Sequence, residues 1–432
     1  MVLWAVASQV ALVLGTLLVA HPAVVRAWFR VSCAGVLVEE RVDPIRFPGV
    51  NVPSQHVHTV HGASDFHTNS TFESLRRSEC TNCQVKEDLS NYWFPKLYFR
   101  DPTNDNVEPV PNGGLLVYYQ NRGSQDRSSN GTGLRAFPPG FRMMSGDPAR
   151  RSRKRPRMEG SQAELRERAL QWSCLRYPDN EGYDDEGRGF PTTDCESGFN
   201  ARIHMPACWD GRNNDSPDHM AHTAYLSGLD NGSCPGSHPV GLMKLFYEVT
   251  WDVHHFADRW TPGTDNWPFV YSTGDSSGYS WHGDFLNGWD TEVLQNAIDN
   301  CNNPGDATGS GDTSACRFLT VIPGEEANKC RIRPAFDEDV NGVNGTLSML
   351  PGCNPVQRGP VDALLYTEAD CPFEVPLPQP IPRTNGSVVI APPEDDNDPG
   401  AGAGDDNQVV LSRSSQRCRL KRGARSWNLV RA

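Results

Sequence analysis

The sequence predicts a mainly β fold: a large disulfide-stabilised β-sandwich or jelly-roll-like domain with a few short helices and long loops. Three observations predict it. Its strongest apolar runs alternate with a period of two and are bounded by Gly, Pro or Asn. Gly (39) and Pro (34) are abundant while mean hydropathy is -0.54, which suits a chain broken by many turns better than a helical bundle. Of thirteen cysteines, twelve (Cys33, Cys80, Cys83, Cys174, Cys195, Cys208, Cys234, Cys301, Cys316, Cys330, Cys353, Cys371) lie in the body of the chain and can pair completely, leaving Cys418 odd.

The elements follow in order. Residues 1–27 read as a signal peptide: an uncharged apolar run ends near Ala20, and Val25-Arg26-Ala27 meets the small-residue rule for cleavage. Residues 28–372 hold the twelve pairing cysteines without a long linker and read as a single cysteine-rich domain. Strands are expected at 114–120 (GLLVYYQ), 242–256 (LMKLFYEVTWDVHHF) and 268–274 (PFVYSTG), and helices at 160–174 (GSQAELRERALQWSC) and 290–301 (DTEVLQNAIDNC), the second with Asp290 as its N-cap. The run ARRSRKRPR (149–157) reads as a solvated basic loop. Residues 373–432 are Pro/Gly-rich, acidic and then basic, which predicts a disordered tail. Six Asn-X-Ser/Thr acceptors (Asn69, Asn130, Asn214, Asn231, Asn344, Asn385) agree with export, and a net charge of -13 argues against nucleic acid as a partner. After cleavage of the leader no stable membrane span is expected.

Three stretches can carry chemistry. In SQHVHTVHG (54–62), His56 and His58 stand two apart, so on a strand they share one face about 6.6 Å apart and could converge on one ion. His61 falls on the opposite face if the strand continues. Candidates for a third ligand come in CWDGRNNDSPDHMAHTAYL (208–226), where His219 is the expected metal ligand, Asp218 and His222 are acid/base candidates, and Trp209 and Asp210 are substrate-binding candidates. In GDSSGYSWHGDFLNGWD (274–290), His282 and Asp284 are the expected catalytic pair beside the ring of Trp281, because sugar faces stack on aromatic rings while hydroxyls bond to carboxylates. Glu248, on the polar side of the 242–256 strand, could line the same cleft. It lies about 13 Å along the strand from Asp252, too far for that pair to act as matched glycosidase carboxylates. The sequence holds no Gly-X-X-X-X-Gly-Lys loop and no His-Glu-X-X-His helix, so phosphate-loop nucleotide enzymes and zincin proteases lose support.

The blocks RVDPIRFPGVNVPSQHVHTVHGASDF (41–66), CTNCQVKEDLSNYWFPKLYF (80–99), AFPPGFRMMSGDP (136–148), MPACWDGRNNDSPDHMAHTAYL (205–226), CPGSHPV (234–240) and WPFVYSTGDSSGYSWHGDFLNGWD (267–290) resemble, in order, the signatures of a fungal family of secreted domains of unknown function. Some members are joined to cell-wall-sensor type carbohydrate-binding modules. The resemblance implies secretion and a partner in polysaccharide or fungal cell-wall material, but no reaction. It includes matches for His56, His58, Trp209, Asp210, Asp218, His219, His222, His238, His282 and Asp284, whereas His61 looks variable.

The function expected is that of a secreted cell-wall or polysaccharide-associated protein, with a hydrolase or lyase using a His/Asp cleft as its catalytic form. Two alternatives stand beside it: a non-catalytic wall-binding module, and a secreted protein that binds a transition metal such as copper or zinc. Against soft copper sites, the sequence lacks Met-rich runs.

Overall fold

The computed structural model describes residues 29–49, 52–177, 183–184, 189–263, 267–302 and 311–381. The expected signal peptide, Cys418, Asn385 and most of the expected tail lie outside these residues. Among the described residues two large antiparallel sheets dominate, formed in chain order by β1 (Phe29–Cys33), β2 (Val38–Glu40), β3 (His58–Gly62), β4 (Asn91–Pro95), β5 (Asn112–Gln120), β6 (Arg142–Gly146), β7 (Leu170–Cys174), β8 (Tyr183–Asp184), β9 (Phe199–His204), β10 (Lys244–Trp251) and β11 (His282–Leu286). The first sheet runs β1-β5-β10-β9-β7-β8, the second β2-β3-β4-β11-β6.

Alternation places these strands. On β10, Leu245, Tyr247, Val249 and Trp251 are fully buried while Phe246, Glu248 and Thr250 are half-exposed, so one face meets a core and the other meets water. The buried face packs on the second sheet, with Tyr247 against Tyr92 at 5.8 Å and Trp251 against Phe94 at 6.0 Å between ring centroids. The result is the expected sandwich. Its sheets approach so closely at β11 that a Cβ on Gly283 would lie 3.2 Å from Ile203 and Tyr247, so glycine is the residue that fits between His282 and Asp284.

The second sheet differs from the first in being covered on both faces, and every residue of β3, β4 and β11 is buried. Its outer face joins Val38, Val60, Trp93, Met144 and Leu286 to a second core with Val42, Ile45, Phe66, Leu75, Ile332 and Phe336. The cover comes from the loop after β2, from the short helix α1 (Phe72–Leu75) and from the chain beyond residue 330. Disulfides Cys80–Cys330 and Cys353–Cys371 hold that C-terminal cover, within a set of six that also includes Cys33–Cys83, Cys174–Cys195, Cys208–Cys234 and Cys301–Cys316. Arg41, 1% exposed, fastens it electrostatically: Nε donates to Glu338 at 2.7 Å, and Nη1 donates to Glu368 at 2.6 Å and to the Ser54 carbonyl at 2.9 Å.

Four expectations need correction. The helix expected at 160–174 ends early: Ser161 caps α2 (Gln162–Arg168), and Leu170–Cys174 is β7, because Leu170, Trp172 and Cys174 are buried and the strand pairs with β9. The long strand stops at Trp251, where Asp252 accepts from the His255 amide and starts a 3-10 helix over Val253–Arg259. The basic run is no simple solvated loop, since Arg151 is buried and donates to the carbonyls of Pro148, Thr273 and Gln357. The ordered chain also passes residue 372, with Gln379–Pro380 pairing to Phe336–Asp337. By contrast, α3 (Thr291–Asn300) starts as expected, Asp290 accepting from the amides of Glu292 and Val293 at 3.1 Å.

Candidate metal centre

Strand periodicity and the double covering of the second sheet build the site. His58 opens β3 and shares the outer face with Val60, while His61 points to the opposite face and stacks on Phe94 at 5.6 Å. Gly62 closes the strand at φ +108°, where a Cβ would come within 2.0 Å of the Ser90 carbonyl. On β11, two strands away, His282 and Asp284 occupy the same outer face. His56 lies in the bend before β3.

These residues meet out of water. His56, His58 and His282 are 4%, 0% and 1% exposed, and one ligand atom from each lies within 4.8 Å of the others. His58 Nδ1 is 3.1 Å from the Val42 carbonyl and His282 Nδ1 is 2.7 Å from the Ser280 carbonyl. A carbonyl only accepts, so both Nδ1 atoms carry the proton and both Nε2 atoms present a lone pair. This is the arrangement by which a neighbouring acceptor fixes a metal-binding imidazole. His56 Nε2 stands 3.1 Å from His282 Nε2, a separation that calls for a proton or a cation between two nitrogens. Neither His56 Nδ1 nor His58 Nε2 has a hydrogen-bond partner.

The electrostatics agree. Burial pushes the His58 and His282 imidazoles down to about 3 and lowers His56 well below the ordinary histidine value, so all three are neutral ligands at neutral pH. Asp284, with Oδ2 3.9 Å from His282 Nε2, is fully buried with both oxygens unpartnered. Burial and then the charge of Asp43 raise its carboxyl well above the usual range. A buried carboxylate without donors is expensive unless a cation faces it. Asp43 is itself buried, with Oδ1 accepting from the Ile45 and Arg46 amides at 3.0 Å. Its part in the site has no signal in the sequence beyond a place in the first signature block, since its role depends on the loop after β2 folding over β11.

The other expected residues lie elsewhere. His219 does not join His56 and His58: its Nδ1 is 2.8 Å from Asp215, in a loop along the edge strand β6. His222 places Nε2 2.8 Å from the Arg142 carbonyl and Nδ1 2.9 Å from Ser216 Oγ, and Asp218 accepts from the Met220 and Ala221 amides, so both hold that loop. Trp209 donates Nε1 to the Asn213 carbonyl at 2.7 Å, and Asp210 accepts from the Arg212 and Asn213 amides, closing the next turn. Trp281 cannot be a sugar platform, because it is fully buried, stacked on Tyr271 at 5.5 Å and bonded through Nε1 to the Arg202 carbonyl. Glu248 contacts Arg202 and Tyr118 on the outward face of the first sheet, so the whole sandwich separates it from Asp284. The run Gly274-Asp275-Ser276-Ser277-Gly278 has the spacing of a nucleophile elbow, but it leads through a turn into β11 and lacks the helix that an elbow requires.

A separate cleft of about 510 Å³ is lined among others by Arg100, Asp105, Phe190, Trp267 and Tyr279. Its Ser276–Tyr279 wall belongs to the turn whose next residue, Ser280, fixes His282. No helix among the described residues is long and apolar enough to cross a membrane.

No curated protein and no solved structure matches the chain. A family model does, over residues 43–289, a span that contains the three histidines, Asp43 and Asp284 and ends at Trp289, just after β11. Covering more than half of the 432 residues, it identifies the chain as a member of the family described as Domain of unknown function (DUF1996).

Proposed function

We propose that this is a secreted metal-binding protein whose working centre is a single transition-metal ion held by His56, His58 and His282, with Asp284 as the balancing carboxylate. One observation carries the reading: three buried imidazoles converge, two with Nδ1 locked to carbonyls, beside a buried carboxylate that has no donor. Imidazole sets suit zinc and copper, and three protein ligands are what catalytic zinc sites commonly supply. Such an ion, when bound by His56, His58 and His282, would supply Lewis acidity, and Asp284, with Oδ2 3.9 Å from His282 Nε2, would balance its charge. The apolar leader and the six disulfides favour export.

The test is elemental analysis of the purified protein, and of apoprotein titrated with Zn²⁺ or Cu²⁺, beside the His56→Ala/His58→Ala variant checked for folding by near-UV circular dichroism. Near-stoichiometric metal that the folded variant loses supports the reading. Wild-type protein that neither carries nor takes up either ion overturns it.

The aromatic cleft favours a second reading, that the domain engages polysaccharide of the cell-wall type. The partly exposed Tyr279 ring supplies the stacking surface, since Phe190 and Trp267 are only 8% and 6% exposed, and the Arg100–Asp105 ion pair beside it offers partners for hydroxyls. Arg100→Ala should weaken retention on insoluble wall polysaccharides. Equal retention of variant and wild type, or none by either, counts against this reading.

A further inference from the structure

Lys96 follows β4 directly, and its main chain is fixed on both sides: its amide donates to the Val57 carbonyl at 3.1 Å, and its carbonyl accepts from the Ser272 amide at 2.8 Å. Its side chain is 3% exposed, and Nζ lies 5.7 Å from the centre of the Tyr98 ring. Nζ has two partners. One is the side-chain amide of Asn341, with Oδ1 at 2.8 Å; the other is the carboxylate of Glu39, on the neighbouring edge strand β2. Thr59 Oγ1 donates to the second Glu39 oxygen at 3.2 Å and so orients that carboxylate.

Asn341 is equally well placed. It sits in a turn where Asp339 Oδ1 accepts from the amides of both Asn341 and Gly342, at 3.0 and 2.7 Å, and where Tyr98 donates its hydroxyl to the Val340 carbonyl at 2.8 Å. An Asn-Gly pair ordinarily risks attack on the side-chain amide by the following backbone nitrogen. Here the Gly342 N–H is engaged by Asp339, and the amine that lies against the Asn341 amide is Lys96 Nζ, 2.8 Å from Oδ1.

An amine held against both a primary amide and a carboxylate, and kept out of water, has the components of a transamidation at hand. We propose that Lys96 and Asn341 become joined by an isopeptide bond, with Glu39 as the general base and acid. Glu39 takes a proton from the Lys96 ammonium, and the freed lone pair adds to Asn341 Cγ. The amine's second proton passes to Nδ2, the Cγ–Nδ2 bond breaks to release ammonia, and ammonia takes back the proton held by Glu39 and leaves as ammonium. Carboxylate and charge are restored, and no oxidant or reductant is consumed. The exposed side of Asn341 opens to solvent and gives ammonia its way out.

The bond ties the second sheet to the segment that carries Glu338, and so reinforces the cover that Arg41 and Cys80–Cys330 already hold. The inference is independent of the metal reading.

Peptide mapping tests it. The purified protein is deglycosylated, reduced, alkylated and digested with trypsin. The expected result is no cleavage between Lys96 and Leu97, and a branched peptide equal in mass to the Lys96 and Asn341 peptides less one ammonia, which Lys96→Arg abolishes. Glu39→Gln should lower the branched fraction several-fold, and an unchanged fraction would remove Glu39 from the mechanism. Complete cleavage after Lys96, with the Asn341 peptide linear, overturns the proposal in wild-type protein alone, without reference to how any variant folds.

Discussion

Replacing Arg41 by Met keeps much of the side-chain volume but deletes the charge that fastens the C-terminal cover. Two carboxylates lose their partner, Glu338 at 10% and Glu368 at 24% side-chain exposure, while the Ser54 carbonyl loses a donor. Breaking a buried ion pair from one side costs about 3–5 kcal/mol. Because both carboxylates keep some hydration, the low end applies, about 3 kcal/mol, and the stranded carbonyl adds about 1 kcal/mol. Arg41→Met should therefore lower stability by about 4 kcal/mol, read by urea unfolding of the disulfide-intact protein. Adding Glu338→Gln and Glu368→Gln to the same chain removes the orphaned charges and should recover most of the loss, since removing both sides of a buried pair is far milder than removing one. A cost under about 1 kcal/mol, or no recovery on neutralising the glutamates, would refute the claim that Arg41 holds the cover by charge.

Asp88 is buried against Tyr92 and Tyr119, and burial pushes its carboxyl up to about 6 from 3.8. The folded state therefore binds the proton more tightly than the unfolded one, and the Asp88 contribution to stability falls as pH rises from about 4 to about 6, by roughly 3 kcal/mol at about 1.4 kcal/mol per unit. An unfolding series across that range should show a slope that Asp88→Asn flattens. Gly62→Ala should destabilise by at least about 2 kcal/mol, because φ is +108° and a Cβ would collide with the Ser90 carbonyl; thermal unfolding equal to wild type contradicts this. Trp281→Ala should cost about 3–5 kcal/mol through core loss while leaving retention on polysaccharide, per folded molecule, unchanged. A selective loss of retention would restore Trp281 as a binding residue.

The fold was most legible where one face meets water. Leu245, Tyr247, Val249 and Trp251 alternate with polar or half-exposed neighbours, so β10 announces itself. The second sheet is buried on both faces, which removes that contrast: in HVHTVHG the polar residues are as buried as the valines, and only geometry shows that His58 and His61 serve opposite faces. For the candidate centre, the closely spaced His56 and His58 and the His282-Gly283-Asp284 pair could be read directly, although His56 lies in the bend before β3 and not on the strand with His58. That they belong to one site could not, because β3 and β11 become near neighbours only through β4. His219 was as good a third ligand by spacing alone. What separates it from His282 is a hydrogen bond to Asp215, formed within a loop whose path no local pattern dictates.

The pairing of Cys80 with Cys330 bears on the order in which this chain can mature during synthesis. Cys33 and Cys83 are both available early, but Cys80 stands three residues before Cys83, and its own partner follows 250 residues later. In a chain exported as proposed, Cys80 would be an idle thiol competing with Cys83 for Cys33 while most of the polypeptide is still being made. Thiolate attack on a neighbouring disulfide is the ordinary route by which such bonds exchange. Such a nascent chain would draw on a disulfide isomerase, or on delayed oxidation, until the segment around Cys330 arrives to take Cys80 out of contention.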